Sequence, residues 1–374
     1  MDAVARCTDW LRQKRDGCLS SPRFRQLAMA FPVTRPVARR RARAVFDLCA
    51  GFVYTQVLFA CVKLRVFEHL AGGPRSLDSL AGSLALPLDS TRRLLEGAVA
   101  LHLVERRSDD RFGLGALGAT LVRNPAVTAL IEHHELLYAD LADPVALLRN
   151  PGGETALSCY WAYARRRDPL DLEAAQVADF TTLMSVSQAL IADEVLARYR
   201  FDRHRCLLDI GGGDGAFLIA VSSRARHLQL MLFDLPSVAE RAAARFGTVG
   251  LDARSRTFGG DFFADSLPGG ADVASIVRVL HDHDDDRALA LLRAAHRALL
   301  PGGTLLVVEP MAETKGAEPM GDTYFGFYLL AMGQGRPRSS AALTQMLRTA
   351  GFDTVKRIAT RTPLQTGLLI ARRT

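Results

Sequence analysis

The sequence predicts an α/β protein, a doubly wound and mostly parallel sheet preceded by a helical, winged-helix-like region. Three observations carry that prediction. From His204 onward, short apolar runs alternate with helical patterns, as in parallel strands covered by helices on both faces. A glycine-rich turn, Gly211-Gly212-Gly213-Asp214-Gly215, directly follows the first of those runs. Upstream, two helical patterns lead into a turn-rich hairpin. The composition agrees: 374 residues, 49% hydrophobic and 23% charged, supply one or two cores and exclude a chain disordered throughout.

Taken in order, the opening MDAVARCTDWLRQKRDG lacks the apolar centre of a secretory signal. The six cysteines, at positions 7, 18, 49, 61, 159 and 206, form no C-x-x-C pair, so packed free thiols in a reducing cytoplasm are expected. Ala44 to Val62 is nearly long enough to cross a bilayer and follows the basic run RPVARRRAR. Asp47, Thr55 and Gln56 interrupt it, so it reads as a helix buried in a dimer interface or one that touches a membrane surface. The net charge of +7 suits an anionic membrane and is too small to imply nucleic acid. Ser76 is expected to cap a helix through Leu84, and Asp89 or Ser90 a longer one through Leu101. A hairpin around Ser108-Asp109-Asp110 then joins Leu103–Glu105 to Phe112–Leu114. Its presumptive second helix carries only Arg92 and Arg93 as cations, which favours dimerisation over DNA reading.

Further helices are expected from about residue 125 to 200, with the segments IEHHELLYADL and LSCYWAYARR. The apolar runs CLLDI, LQLMLFDL, VASIVRVL, TLLVVEP, TVKRI and GLLIA are then the strands. This divides the chain into a dimerisation region (1–125), a helical part that shapes a substrate pocket (126–200) and a cofactor-binding domain (201–374).

The glycines at 211, 212, 213 and 215 let the backbone approach a ligand closely. Asp234 ends the second strand, where its carboxylate can accept from both hydroxyls of a ribose. Asp261, in GGDFF after the third strand, can accept from an exocyclic adenine amine while Phe262 packs on the ring. Two such acids describe a nucleoside site at the point where the strand order reverses. Asp214 places an anion in the glycine loop, which would repel a pyrophosphate and favour a cofactor carrying a sulfonium and an ammonium. S-adenosylmethionine meets these demands.

The motifs DIGGGDG, FDLP, GGDFF, VRVLHDHDDD, LLPGGTLLVVEPM and AGF resemble the class I S-adenosylmethionine-dependent O-methyltransferases of plants and bacteria, over nearly the whole chain. The resemblance implies a Rossmann-like domain, a homodimer and cofactor contacts from Asp209, Gly211, Gly213, Asp234, Leu235, Asp261, Phe262 and Arg278. It also implies His281 as the general base and Glu309 as the carboxylate orienting it. The segments SPRFRQLAMAFPVTRPVARRRARAVFDLCAGFVYTQVLFACV, EHHELLYADLADPVALL and AEPMGDTYFGFYLLAMGQGRPRS are similar to the carotenoid O-methyltransferases of purple phototrophic bacteria. That implies methylation of the tertiary 1-hydroxyl of acyclic hydroxycarotenoids of the demethylspheroidene or hydroxyneurosporene type, with peripheral membrane contact and no nucleic-acid partner. A phenol, polyketide or tetrapyrrole acceptor is the alternative, and a winged-helix sensor of S-adenosylmethionine is the non-enzyme reading.

Methyl transfer is an in-line displacement on carbon from a good leaving group, so alignment and proton removal are what a protein contributes. A tertiary alcohol is too weak an acid to ionise first, and its proton is expected to reach His281 during or after transfer. HDHDDD also matches the start of an H-x-H-x-D metal run through His281, His283 and Asp285. No further histidine continues it, so no metal is expected, and Asp284, Asp285 and Asp286 are expected to cap a helix starting near Arg287. The chain departs from the family at His283, usually tryptophan, and at Pro337, where a second glutamate is expected; one carboxylate would then steer the base. For the substrate, Tyr324, Phe325, Phe327 and Tyr328 beside Met320 and Met332, with His133, His134 and Tyr138, form either an apolar slot or plain core.

Overall fold

The computed structural model describes residues 2–161, 184, 185, 188, 191–361 and 366–374. Its contacts divide the chain into two units, residues 1–123 and 124–374.

The first unit opens with α1 (Asp2–Ser20), α2 (Pro22–Ala30) and α3 (Arg35–Lys63). Ser21 accepts from Phe24 N, and Pro22 takes a first-turn position whose N–H has no helical partner anyway. Among the α3 residues only Cys61 and Val62 are buried, while Val45, Phe46, Leu48 and Phe52 are exposed. In the single chain this helix, expected in a dimer interface or against a membrane surface, is bare along most of its length. By length and composition it could cross a membrane, with 11% of its most apolar window buried. The cysteine expectation also needs correcting: Cys7, Cys18, Cys49 and Cys159 are exposed, and only Cys61 is fully packed, its thiol pushed up to about 12 by burial.

The winged-helix outline follows as α4 (Val66–Leu70), β1 (Arg75–Ser76), α5 (Leu77–Leu84), α6 (Leu88–Ala100), β2 (Val104–Arg107), β3 (Arg111–Leu114) and α7 (Ala116–Ala119). Ser76 caps α5 through Ser79 N, as its position predicts. Helix α6 begins one residue before Asp89, with Pro87 at the cap, and Thr91 donates through both N and Oγ1 to the Pro87 carbonyl. Asp89 instead lies in the first turn, where its charge complements the helix dipole. The three strands order as β1-β3-β2 over Phe67, Leu70, Leu80, Leu95 and Phe112.

The second unit begins with α8 (Pro125–Asp140), α9 (Pro144–Arg149) and α10 (Ala156–Tyr160). The rest of LSCYWAYARR after Trp161 lies outside the described residues, as do the helices expected over 162–183. Residues 191–198 are helical. Then come β4 (Cys206–Ile210), α11 (Ala216–Arg224), β5 (Gln229–Asp234), α12 (Pro236–Thr248), β6 (Ser255–Gly259), β7 (Ala271–Val277), α13 (Asp285–Ala298) and β8 (Leu299–Glu309). The chain closes with β9 (Met311–Ala312), α14 (Phe325–Met332), β10 (Arg338–Ser339), α15 (Ser340–Thr349), β11 (Thr354–Ile358) and β12 (Gly367–Arg372).

The main sheet orders as β11-β12-β8-β7-β4-β5-β6, with β12 alone running antiparallel to the other six strands. Strand alternation builds two cores. Leu208 and Ile210 pack toward α13 and α15, while Leu207, Leu230 and Leu232 pack toward α11 and α12. Strand β6, half exposed at the sheet edge, carries too little apolar residue to show as a hydrophobic run. Chain order runs outward through β4, β5 and β6, then returns to place β7 on the other side of β4. The crevice at the carboxyl ends of β4 and β7 is the ligand position such a reversal creates.

Candidate functional site

The register brings the ends of four strands to one edge. Gly211 N donates to Phe233 O at 2.8 Å and Arg278 N to Val308 O at 2.8 Å, so Gly211, Asp234, Arg278 and Glu309 emerge together. The loop after β4 needs its glycines. Gly211, Gly213 and Gly215 have φ of 69°, 59° and 81°, the left-handed region. A Cβ on Gly211 would meet Val279 at 2.7 Å, and one on Gly212 would meet Leu232 at 2.9 Å, whereas Gly213 faces open space.

Two carboxylates, buried Asp209 and half-buried Asp234, support that loop. Asp209, only 1% exposed, accepts from Ser275 Oγ at 2.6 Å through one oxygen, and its Oδ2 has no partner among the described residues. Burial, against the Ser275 bond and reinforced by Asp234, pushes its pKa up to about 7. Asp234 accepts from Gly213 N at 2.7 Å and Leu235 N at 2.8 Å, which aims the carboxylate into the crevice; burial raises its pKa to about 6. Asp261 accepts from Phe263 N at 2.9 Å, and Phe262 stacks edge-on against Phe263. These groups fit an adenosyl ligand: a glycine cradle open at Gly213, paired acids, and an aromatic wall. Asp214 departs from its expected part. Arg245 forms an ion pair with it, so its charge is met within the protein rather than reserved for a cationic cofactor.

Beyond β7 the chain kinks sharply. Arg278 adopts a φ of 58°, and a single 3-10 turn, Leu280–Asp282, presents His281. Glu309 at the end of β8 accepts from Val279 N at 3.0 Å and Leu280 N at 2.8 Å through Oε1, while Oε2 accepts from His281 Nδ1. The carboxylate thus fixes both the turn and the ring. A second carboxylate is present after all. Asp282 Oδ1 lies 3.2 Å from His281 Nε2, so the imidazole that sequence reading left to Glu309 alone sits between two acids. Burial lowers the pKa of His281, but Asp282 and Glu309 outweigh it and hold the imidazole above its ordinary value.

The GRPRS segment braces the same turn without the expected glutamate. Arg338, 5% exposed, donates to Leu280 O and His283 O, each at 2.7 Å, and to Asp285 Oδ1 at 2.9 Å. Arg336 N donates to His281 O at 2.9 Å. Asp285 is therefore held by arginines, and His281, His283 and Asp285 do not converge as a metal site would require; among the described residues no cluster of metal ligands occurs. Asp284 caps α13 through Arg287 N at 2.9 Å, with Asp285 and Asp286 in the first turn, so the helix starts two residues before Arg287. His283 packs edge-on against Phe262 and Phe263 with centroids 5.6 and 5.0 Å away, and burial lowers its pKa to about 3.

These groups open on a cavity of about 270 Å³ lined by Gly211, Gly213, Asp234, Leu235, Asp261, Phe262, Arg278 and His281 at one end. Met320, Tyr324, Phe325, Tyr328, Met332 and His133 line the other. Asp209 and Glu309 lie behind this wall. A π-helical stretch, Pro319–Tyr324, leads into α14 and turns Tyr324, Phe325 and Tyr328 inward. Phe327 is on a different helix face and off the wall; Phe325 takes that place. His134 and Tyr138 are also set back: His134 Nε2 is hydrogen-bonded to the Tyr324 hydroxyl at 2.8 Å, and the Tyr138 ring packs at a tilt against His134. The wall histidine is His133. Trp161 Nε1 donates to the Tyr328 hydroxyl (2.7 Å), which is also hydrogen-bonded to His133 Nε2 (2.7 Å). Burial lowers the pKa of His133 to about 4, so it remains neutral.

Comparison with known proteins agrees with this geometry. Residues 138–353 match the family model for the O-methyltransferase domain, and residues 46–124 the O-methyltransferase dimerisation domain. The demethylspheroidene O-methyltransferase of Cereibacter sphaeroides is 41% identical, over 90% of this chain and 88% of its own length. That of Rhodobacter capsulatus is 39% identical over 94% and 88%. Among solved structures, the mitomycin 7-O-methyltransferase MmcR superposes with a TM-score of 0.74 at 26% identity, covering 91% of this chain and all of that one. Nearly the whole sequence and the backbone it builds thus match proteins of one kind, and the chain belongs to the S-adenosylmethionine-dependent O-methyltransferase family.

Proposed function

We propose that the protein methylates the tertiary 1-hydroxyl of an acyclic hydroxycarotenoid of the demethylspheroidene or hydroxyneurosporene type, with His281 accepting the hydroxyl proton. The observation that carries this reading is a single two-acid imidazole at the junction of a polar, glycine-built crevice and an aromatic slot. The names of two relatives near 40% identity over most of the chain support the substrate class.

S-adenosylmethionine, when bound, supplies a methyl group on a cationic sulfur. Asp234 and Asp261 hold the nucleoside, with Gly211, Gly213, Leu235, Phe262 and Arg278 shaping its bed and Asp209 fixing the loop from below. His281 donates through Nδ1 to Glu309, so its neutral ring offers only Nε2 as an acceptor. When Nε2 takes the alcohol proton, the imidazolium is held between Glu309 and Asp282. Tyr324 and Tyr328 line the slot for the polyene, with His134 and Tyr138 behind Tyr324 and Phe327 outside the slot. His283 fills the tryptophan position as a neutral packing group between the two phenylalanines.

In this reading residues 1–125 dimerise, 126–200 shape the substrate slot and 201–374 carry the transfer. The dimerisation match supports a homodimer. A water-insoluble substrate places the enzyme in the cytoplasm with peripheral contact to the inner membrane. The test incubates the protein with methyl-labelled S-adenosylmethionine and a panel of hydroxycarotenoids and phenols. Label in a carotenoid methyl ether is the expected result. Label in phenols alone would replace the substrate assignment, and a His281→Ala variant at wild-type turnover would remove the base.

A further inference from the structure

The net charge is unevenly placed. Residues 1–45 hold eleven Arg and Lys against three Asp, while the other 329 residues hold 36 basic against 37 acidic. The whole positive excess therefore belongs to a segment that ends just before the dimerisation match begins at residue 46. That segment is α1, α2 and the first turns of α3.

Its apolar residues are as exposed as its cations. Phe24, Leu27 and Phe31 recur at helical spacing and are 42%, 68% and 59% exposed, with Val33 at 76% and Trp10 and Leu11 nearby. Helix α2 buries no residue at all. Two arginines are spent on holding the helices in order: Arg25 donates to the carbonyls of Leu19 and Ser20 at the end of α1, and Arg35 to those of Met29 and Ala30 at the end of α2. Arg23, Arg39, Arg40 and Arg41 make no ion pair among the described residues and are exposed. Lys14 extends over the Trp10 ring, 5.6 Å from its centroid, an apolar body with a charged tip.

We propose that α1, α2 and the start of α3 form a docking surface for an anionic lipid bilayer. Arg23, Arg39, Arg40 and Arg41 meet headgroup phosphates, and Leu27, Phe31 and Val33 enter the acyl boundary. A nucleic acid would satisfy the arginines and leave the apolar residues in water. A second copy would cover the apolar residues but bring two strongly positive segments together. Of these three, an anionic bilayer is the one that satisfies both. The inference deepens the peripheral association proposed above and names its surface; it does not depend on which lipophilic alcohol is methylated.

The test sediments the full-length protein with vesicles of phosphatidylcholine, alone or with about one third phosphatidylglycerol, at low and high salt. Two variants accompany it, R39E/R40E/R41E and L27E/F31E, and turnover is measured with substrate in detergent micelles and in vesicles. The wild type is expected to bind anionic vesicles at low salt, at least about tenfold better than neutral ones. Both variants are expected to lose about tenfold or more of that binding and of vesicle turnover, while keeping micelle turnover. Equal binding to both lipids, or unchanged binding by either variant, overturns the proposal. So do tighter binding to a duplex oligonucleotide than to vesicles, and loss of dimerisation by either variant. Failure to methylate any hydroxycarotenoid, with vesicle binding intact, would remove the substrate reading and leave this surface standing.

Discussion

At the scale of single residues, the imidazole of His281 is governed by what lies at each of its nitrogens. Glu309 occupies Nδ1, and Asp282 stands 3.2 Å from Nε2. Both acids hold the pKa above its ordinary value, so at mildly acidic pH the ring is already protonated and cannot accept from an alcohol. Turnover should therefore rise with pH through a limb lying above about 6.5, the unperturbed value. In Asp282→Asn one of the two raising charges is gone, and the limb should move to lower pH. The plateau should fall roughly tenfold because the imidazolium loses a partner. A pH–rate profile of the two proteins checks both; an unmoved limb would mean that Asp282 does not face the base. The pairing of His281 with Glu309 was legible because their motifs sit at strand ends. Asp282 was equally visible in HDHDDD, yet its neighbours read as helix caps, and only the tight 3-10 turn folds its carboxylate back onto the ring.

At the scale of elements, the site depends on one turn between β7 and α13. Glu309 ties its backbone from β8, and Arg338 ties its carbonyls from β10, so the imidazole of His281 is carried on a turn pinned from two strands. Arg338→Met should leave His281 in place chemically but loosen its aim, lowering kcat by about ten- to a hundredfold with little change in substrate KM. The acid limb should not shift, because no charge beside the ring is removed. A kcat loss that comes with a shifted limb would show that Arg338 acts on the titration instead of the geometry. The strands around this turn could be read from their apolar runs, as could the glycine loop. Arg338 could not: in GRPRS it reads as a surface cation, and its meaning arises only when β9 and β10 pair and bury it. Phe327 fails for the converse reason. Four aromatics in five positions look equivalent in sequence, and the entry from a π-helical turn decides which of them faces the cavity.

At the scale of the whole molecule, two bare surfaces adjoin along α3 and differ in kind. Up to Arg43 the chain is basic; from Val45 it is apolar, with Leu48 85% and Phe52 72% exposed. The sequence announced the apolar stretch but not its occupant, because a dimer interface and a membrane face share one composition. Position relative to the dimerisation match separates them, since Leu48 and Phe52 fall inside it. Covering two such side chains on each of two protomers is worth several kcal/mol, about 1.5–3 kcal/mol for each one buried. Leu48→Asp with Phe52→Asp should therefore weaken a homodimer at least about a hundredfold. Sedimentation equilibrium should show monomers at concentrations where the wild type is dimeric, in low and high salt alike, because hydrophobic burial is not screened. Arg39–Arg41 substitutions should leave that equilibrium unchanged. A double variant that remains dimeric would move the interface off this face of α3. The apolar stretch would then become a continuation of the lipid-docking surface, with vesicle binding rather than sedimentation as the property that the two aspartates abolish.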